Sequence, residues 1–276
     1  MWGVASGTIM LYMQQWKIAA LIVGALILLG VVVAVSNRAS NPTSVPSNTN
    51  NGTSTIPGTA TMSSTTGNAP KLVDFGLLQP PSLVKEVKYG ADITAEVKLI
   101  LAQKISELRA HLSTDKKDYN TWLDLAIRYK QAGDFDKARE VWEYLAAIHP
   151  NDSVVLHDLA DLYQNFLKDY VKAESYYKQA IDAAPTAATD YIGLHELYRY
   201  LLKNPTAAVA ILKTGVPRVS GLQNIDLLAA LGAYYKDTGD TGNAITYYTK
   251  ARDAAAKAGN SAFAAQFDAI IASLKK

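Results

Sequence analysis

Residues 122–129 read Trp-Leu-Asp-Leu-Ala-Ile-Arg-Tyr, followed by Ala138, Trp142 and Pro150. The same skeleton returns three times. Leu156, Leu159, Ala160 and Tyr163 precede Ala173, Tyr177, Ala180 and Pro185. Tyr191, Leu194, His195 and Tyr198 precede Ala208, Leu212 and Gly215. Leu228, Leu231, Gly232 and Tyr235 precede Ala244, Tyr248 and Ala251. Tyrosine recurs at intervals of 34, 35 and 37 residues and alanine at 35, 35 and 36, so two series are locked to one period. A unit of this length holds two helices and a turn. It cannot enclose a core alone, so the copies must stack to bury their apolar faces. Small residues (Ala126, Ala138, Ala160, Ala173, Ala208, Gly232 and Ala244) are expected where the helices of a pair cross. Gly133 and Gly239 fall in the turns after a first helix, where positive φ is needed. In the third copy Asn204-Pro205 supplies an N-cap and a first helical residue instead.

This pattern resembles the tetratricopeptide repeat, W-x2-L-G-x2-Y…A…F…A…P, over Tyr119–Gly259, roughly half the chain. The resemblance implies an all-α solenoid of helix-turn-helix pairs, with about four repeats over 119–259 and capping helices over 93–118 and 260–276. Helical spacing of Val97, Ile100, Leu101, Ile105, Leu108 and Leu112 predicts the front cap, and Phe263, Phe267, Ile270, Ile271 and Leu274 mark the rear one. His195 stands in a slot where a small residue is usual, so the third pair is expected to splay. Pro217 and Gly221 within Gly215–Asn224 predict a break in regularity between the third and fourth copies.

Upstream, Ile18–Val35 is apolar without interruption. Such a run makes a helix about 27 Å long, close to the hydrocarbon thickness of a bilayer, and Trp16 stands at its border. Residues 1–15 are read as a short N-terminal segment, 16–36 as a single-pass transmembrane anchor, and 37–70 as a disordered linker rich in Ser, Thr, Asn and Pro. A cleaved signal peptide is the rival reading of the apolar run. Lys17 precedes the run and Arg38 follows it, so charge fixes orientation weakly; the C-terminal domain is expected on the extracytoplasmic side. Residues 71–92, which include Pro80-Pro81, are read as an extended segment that packs along the helices or continues the linker.

The net charge of +2 misleads. Residues 1–70 carry Lys17 and Arg38 and no acid, leaving 25 basic residues against 25 acidic ones from Lys71 onward. A neutral repeat domain is not a nucleic-acid reader, and its tyrosines fall at packing slots. With no cysteine there is no disulfide or thiolate chemistry. His111, His149, His157 and His195 form no tight metal spacing, and there is no phosphate-binding glycine loop. A non-enzymatic chain without cofactor or metal is expected.

The resemblance implies partner binding along the concave face lined by the first helices. Its groove slots carry Asn120, Leu123, Ile127 and Lys130; His157, Asp161 and Gln164; Ile192, Glu196 and Arg199; and Ala229, Ala233 and Lys236. The Lys/Asn/Arg clamp with which co-chaperone members grip a C-terminal carboxylate is missing. Leu123, Ile127 and Ile192 suit an apolar or amphipathic partner segment better. The expected function is a membrane-anchored scaffold that binds a protein or peptide for complex assembly. Alternatives are a substrate-docking accessory subunit of an enzyme or a structural self-associating membrane protein. "LRAHLSTDKKDYNTWLDLA" (108–126) also resembles the entry to repeat domains of membrane-bound cytochrome c maturation factors.

Overall fold

The computed structural model describes residues 79–276. The apolar run Ile18–Val35, the linker over 37–70 and residues 71–78 lie outside the described residues. No helix among the described residues is long and apolar enough to cross a membrane.

Helix α1 (Ala95–Thr114) precedes four pairs: α2 (Tyr119–Ala132) with α3 (Phe135–Ile148), α4 (Ser153–Leu162) with α5 (Tyr170–Ala183), α6 (Ala188–Glu196) with α7 (Pro205–Gly215), and α8 (Gly221–Asp237) with α9 (Thr241–Lys257). Helix α10 (Ser261–Leu274) closes the series. Each helix packs on the next in chain order, which is an all-helical repeat solenoid. Local chemistry sets the boundaries. In eight of the ten helices the residue before the first turn is Thr, Asp or Asn, and its side chain accepts a backbone N–H from that turn. Helix α6 begins after Ala187, which cannot do this; Gln223 of α8 accepts from the Ala188 N–H at 3.2 Å instead.

The four pairs share one turn, built two ways. The N–H of the residue capping the second helix donates to the carbonyl of the recurring tyrosine: Asp134 to Tyr129, Asp169 to Tyr163, Asn204 to Tyr198 and Asp240 to Tyr235, at 2.8–3.1 Å. In the first and fourth pairs five residues separate the partners, and Gly133 and Gly239 take φ of 82° and 80°. The second and third pairs have six. The extra residue is absorbed by π-helical turns at Tyr163–Leu167 and Leu197–Leu201, after which Lys168 and Lys203 take the left-handed conformation. This one-residue accommodation accounts for the spacings of 35; the intervals of 36 and 37 hold two further residues, which fall between α7 and the α8–α9 turn.

The crossing residues Ala126, Ala138, Ala160, Ala173, Ala208 and Ala244 have no exposed surface. Gly232 is as tightly placed, since a Cβ there would sit 2.9 Å from the Tyr248 ring. His195 is buried in its small-residue slot, and its Nδ1 donates to the Ala208 carbonyl of α7 at 2.7 Å, so it fills the crossing with a hydrogen bond. The expected break follows α7. Asn224 bonds the Val216 and Val219 carbonyls, each at 2.6 Å, and Gly221 takes φ 64°. The core divides one element later, along α8, which contributes residues to both clusters. One cluster runs from Leu101 to Leu231 and contains Trp122, Trp142, Tyr163 and Tyr191; a second joins Ile225, Leu228, Tyr248, Phe267 and Ile271.

Residues 79–94 form an irregular strap against α1 and the α2–α3 turn. Gly90 N–H donates to the Ala132 carbonyl and Lys88 N–H to Asp134, both at 2.8 Å. The Lys137 ammonium and the Arg109 guanidinium reach the carbonyls of Glu86 (2.5 Å) and Lys85 (2.8 Å). Asp134, only 2% exposed, therefore caps α3 and holds the strap at once.

Candidate functional site: the face of the first helices

Helices α2, α4, α6 and α8 are joined from copy to copy by side-chain bonds. Lys130 of α2 pairs with Asp161 of α4, which also accepts from Asn165 at 2.6 Å. The Lys130 ammonium lies 5.8 Å from the Trp142 ring centre and 5.3 Å from that of Phe166. His157 of α4 meets Asp190 of α6 at 2.7 Å, and Asp190 is buried. Arg199, at the end of the third first helix, bonds Asp237 of α8 at 2.9 Å and stacks on Tyr200 and Tyr234. Tyr119 donates to Asp152, the cap of α4. Four of the polar groove residues named from sequence (Lys130, His157, Asp161 and Arg199) are thus committed to tying copies together.

The others divide by exposure. Leu123, Ile127 and Ile192 are half-buried against the main core, and Ala229 and Ala233 against the second cluster. Gln164 is only 6% exposed, withdrawn from any ligand, and its Oε1 has no hydrogen-bond partner among the described residues. Asn120, Glu196 and Lys236 are exposed. Sequence reading passed over Asp190, whose burial turns it into the partner of His157, and Val154, which stands 55% exposed at the start of α4. It also passed over Gly193, where a Cβ would lie 2.6 Å from the Tyr177 ring. Gly193 stands five residues before the recurring tyrosine, where the other copies carry no residue type common to all of them, and nothing local marks Asp190.

Two stretches, residues 154–186 and 225–257, match the tetratricopeptide repeat family model. The chain carries tetratricopeptide repeats. The matched stretches are the second and fourth pairs, and the first and third share with them the turn to the recurring tyrosine and the side-chain cap of the second helix. Among solved structures, MamA is similar at 18% identity over 59% of this chain and 92% of that one, with a TM-score of 0.48. A thermophilic TPR protein in Thermus thermophilus is similar at 20% identity over 64% of this chain and 93% of that one (TM-score 0.43). PilW, a type IV pilus biogenesis factor, is similar at 19% identity over 56% and 76% (TM-score 0.40). No curated protein matches the chain.

Electrostatics on this repeat face are set by pairing and crowding. The hydrogen bond to Asp190 raises the His157 pKa against the opposing effect of burial. Burial lowers that of His195 despite its bond to the Ala208 carbonyl. Desolvation raises the carboxyls of Asp158, Glu196 and Asp226. Among the described residues no group of three or more His, Asp or Glu side chains could hold a metal ion.

The two histidines give stability opposite pH dependences. The folded-state pKa of His157 lies above its unfolded value near 6.5, so its contribution is complete below that pH and is lost as pH rises through the folded value. That of His195 lies below 6.5, so its contribution is complete above that pH and is lost as pH falls towards the folded value. In urea melts across mildly acidic to mildly alkaline pH, His157→Gln should flatten the alkaline-side decline and His195→Gln the acid-side decline. Slopes unchanged from the parent protein would refute both assignments.

Proposed function

We propose that this protein is a membrane-anchored tetratricopeptide scaffold that binds a protein or peptide segment along the face of its first helices, on the extracytoplasmic side, in complex assembly. One observation carries the binding part. Leu123, Ile127, Val154 and Ile192 place solvent-reachable apolar surface on the first helices of three successive copies, and inter-copy bonds flank it. An amphipathic segment laid across that surface would bury its apolar side on them and leave its polar side in water. The anchoring part is supported by the apolar run Ile18–Val35 and the long polar linker, which would let the array reorient near a membrane.

A photo-crosslinking residue placed at 123 or 192 in the native host tests the binding part. It is expected to trap a discrete protein that the same residue at 179, exposed on α5, does not. Equal trapping from both positions, or none, would count against it. Alkaline extraction of membranes, and protease added outside intact cells, test the anchor and its orientation.

A further inference from the structure

The first-helix face carries more charge than it leaves available. Arg128 is bonded to Asp124 at 2.9 Å within α2. Lys130 is taken by Asp161, His157 by Asp190 and Arg199 by Asp237. Among the described residues of these four helices, the charged side chains with no hydrogen-bond or ion-pair partner are Asp158, Glu196 and Asp226, against Lys236 alone. The domain is neutral in composition, yet internal pairing consumes the cations of this face and leaves carboxylates over.

Two of these acids lie beside the apolar slots. Glu196 follows Ile192 by four residues on α6 and Asp158 follows Val154 by four on α4, a spacing that sets each acid one turn from an apolar residue on the same side of its helix. Asp158 lies within the fields of Lys130, His157 and Asp161. Asp158, half-buried, loses hydration that no partner restores, so an incoming cation gains more there than at a fully hydrated acid.

We propose that the segment bound on this face is a cationic amphipathic one, with apolar side chains seated on Leu123, Ile127 and Ile192 and lysine or arginine side chains meeting Asp158 and Glu196. This rests on the reading of the face as a binding site and adds the partner's chemistry. An acidic segment of the same apolar pattern would bring like charges together and be rejected, so the unpaired acids set specificity as well as affinity.

Two fluorescent helical peptides of about 18 residues, identical at apolar positions and carrying either Lys/Arg or Glu elsewhere, test this by anisotropy. The full-length protein is used in a non-ionic detergent. The cationic peptide is expected to bind, to weaken as salt rises, and to lose roughly tenfold affinity to the Asp158→Asn, Glu196→Gln double variant; circular dichroism checks that variant's fold. Undiminished binding of the cationic peptide by the double variant would overturn the inference. So would equal or tighter binding of the acidic peptide. If Ile192→Asp abolishes that acidic binding, the face remains a binding site and only the charge assignment falls. Failure of both peptides to bind counts against the use of this face altogether.

Discussion

Replacing Trp122 by alanine is expected to remove about 3–5 kcal/mol of stability, which for a domain with about 5–15 kcal/mol in total is a large share. Trp122 is 1% exposed, lies against Tyr144 with ring centres 5.5 Å apart, and donates its indole N–H to the Lys116 carbonyl at 2.9 Å. Truncation leaves a cavity and a carbonyl without its donor. Stacked repeats interact with nearest neighbours, so the loss should be local. Amide exchange should accelerate first over 95–148 and stay slow over 221–274, where a separate cluster around Leu228, Tyr248 and Phe267 forms the core. Uniform acceleration would show instead that the array opens as one unit.

The second large effect comes from a matched pair of glycines. Gly133 and Gly239 have nearly the same φ, 82° and 80°, in equivalent turns. An alanine at either incurs a left-handed strain of about 1–2 kcal/mol. Around Gly239 a Cβ meets nothing within 4 Å, whereas at Gly133 it would lie 3.0 Å from the Gly90 nitrogen and 3.1 Å from its Cα. Gly133→Ala therefore displaces the strap by a few tenths of an ångström and strains its bonds to Ala132 and Asp134, each worth about 0.5–1.5 kcal/mol. Gly239→Ala is expected to cost about 1–2 kcal/mol and Gly133→Ala about 2–4 kcal/mol. Only Gly133→Ala should open Lys85 and Lys88 to trypsin. Equal costs for the two would mean that the strap adds nothing to stability.

Much of the helical array was legible because its determinants act over a few residues. Asn204-Pro205 starts α7 and Gly133 ends α2 through backbone groups three to five positions away. The alanines of the crossings repeat in register because every pair meets the same geometric limit. The π-helical turns were hidden, although the intervals of 35 recorded the extra residue; spacing counts residues and does not say how the backbone absorbs them. His195 was legible as an oddity. Its bond to Ala208 depends on which carbonyl the neighbouring helix presents.

The candidate face was less legible. Position in the repeat assigned the first helices to it, and Leu123, Ile127 and Ile192 on those helices are half-buried. It did not show that Gln164 is withdrawn into the protein. Sequence by itself determined the repeat, its period, the Asn204 cap, the turn glycines Gly133 and Gly239 and the small residues at its crossings, because steric limits and backbone hydrogen bonding operate within one helix pair. Only the tertiary structure decided which charges on that face are spent. Lys130 finds Asp161, His157 finds Asp190 and Arg199 finds Asp237 at separations of 31, 33 and 38 residues. Those pairings depend on the rotation and offset between neighbouring copies, which no spacing within a copy encodes.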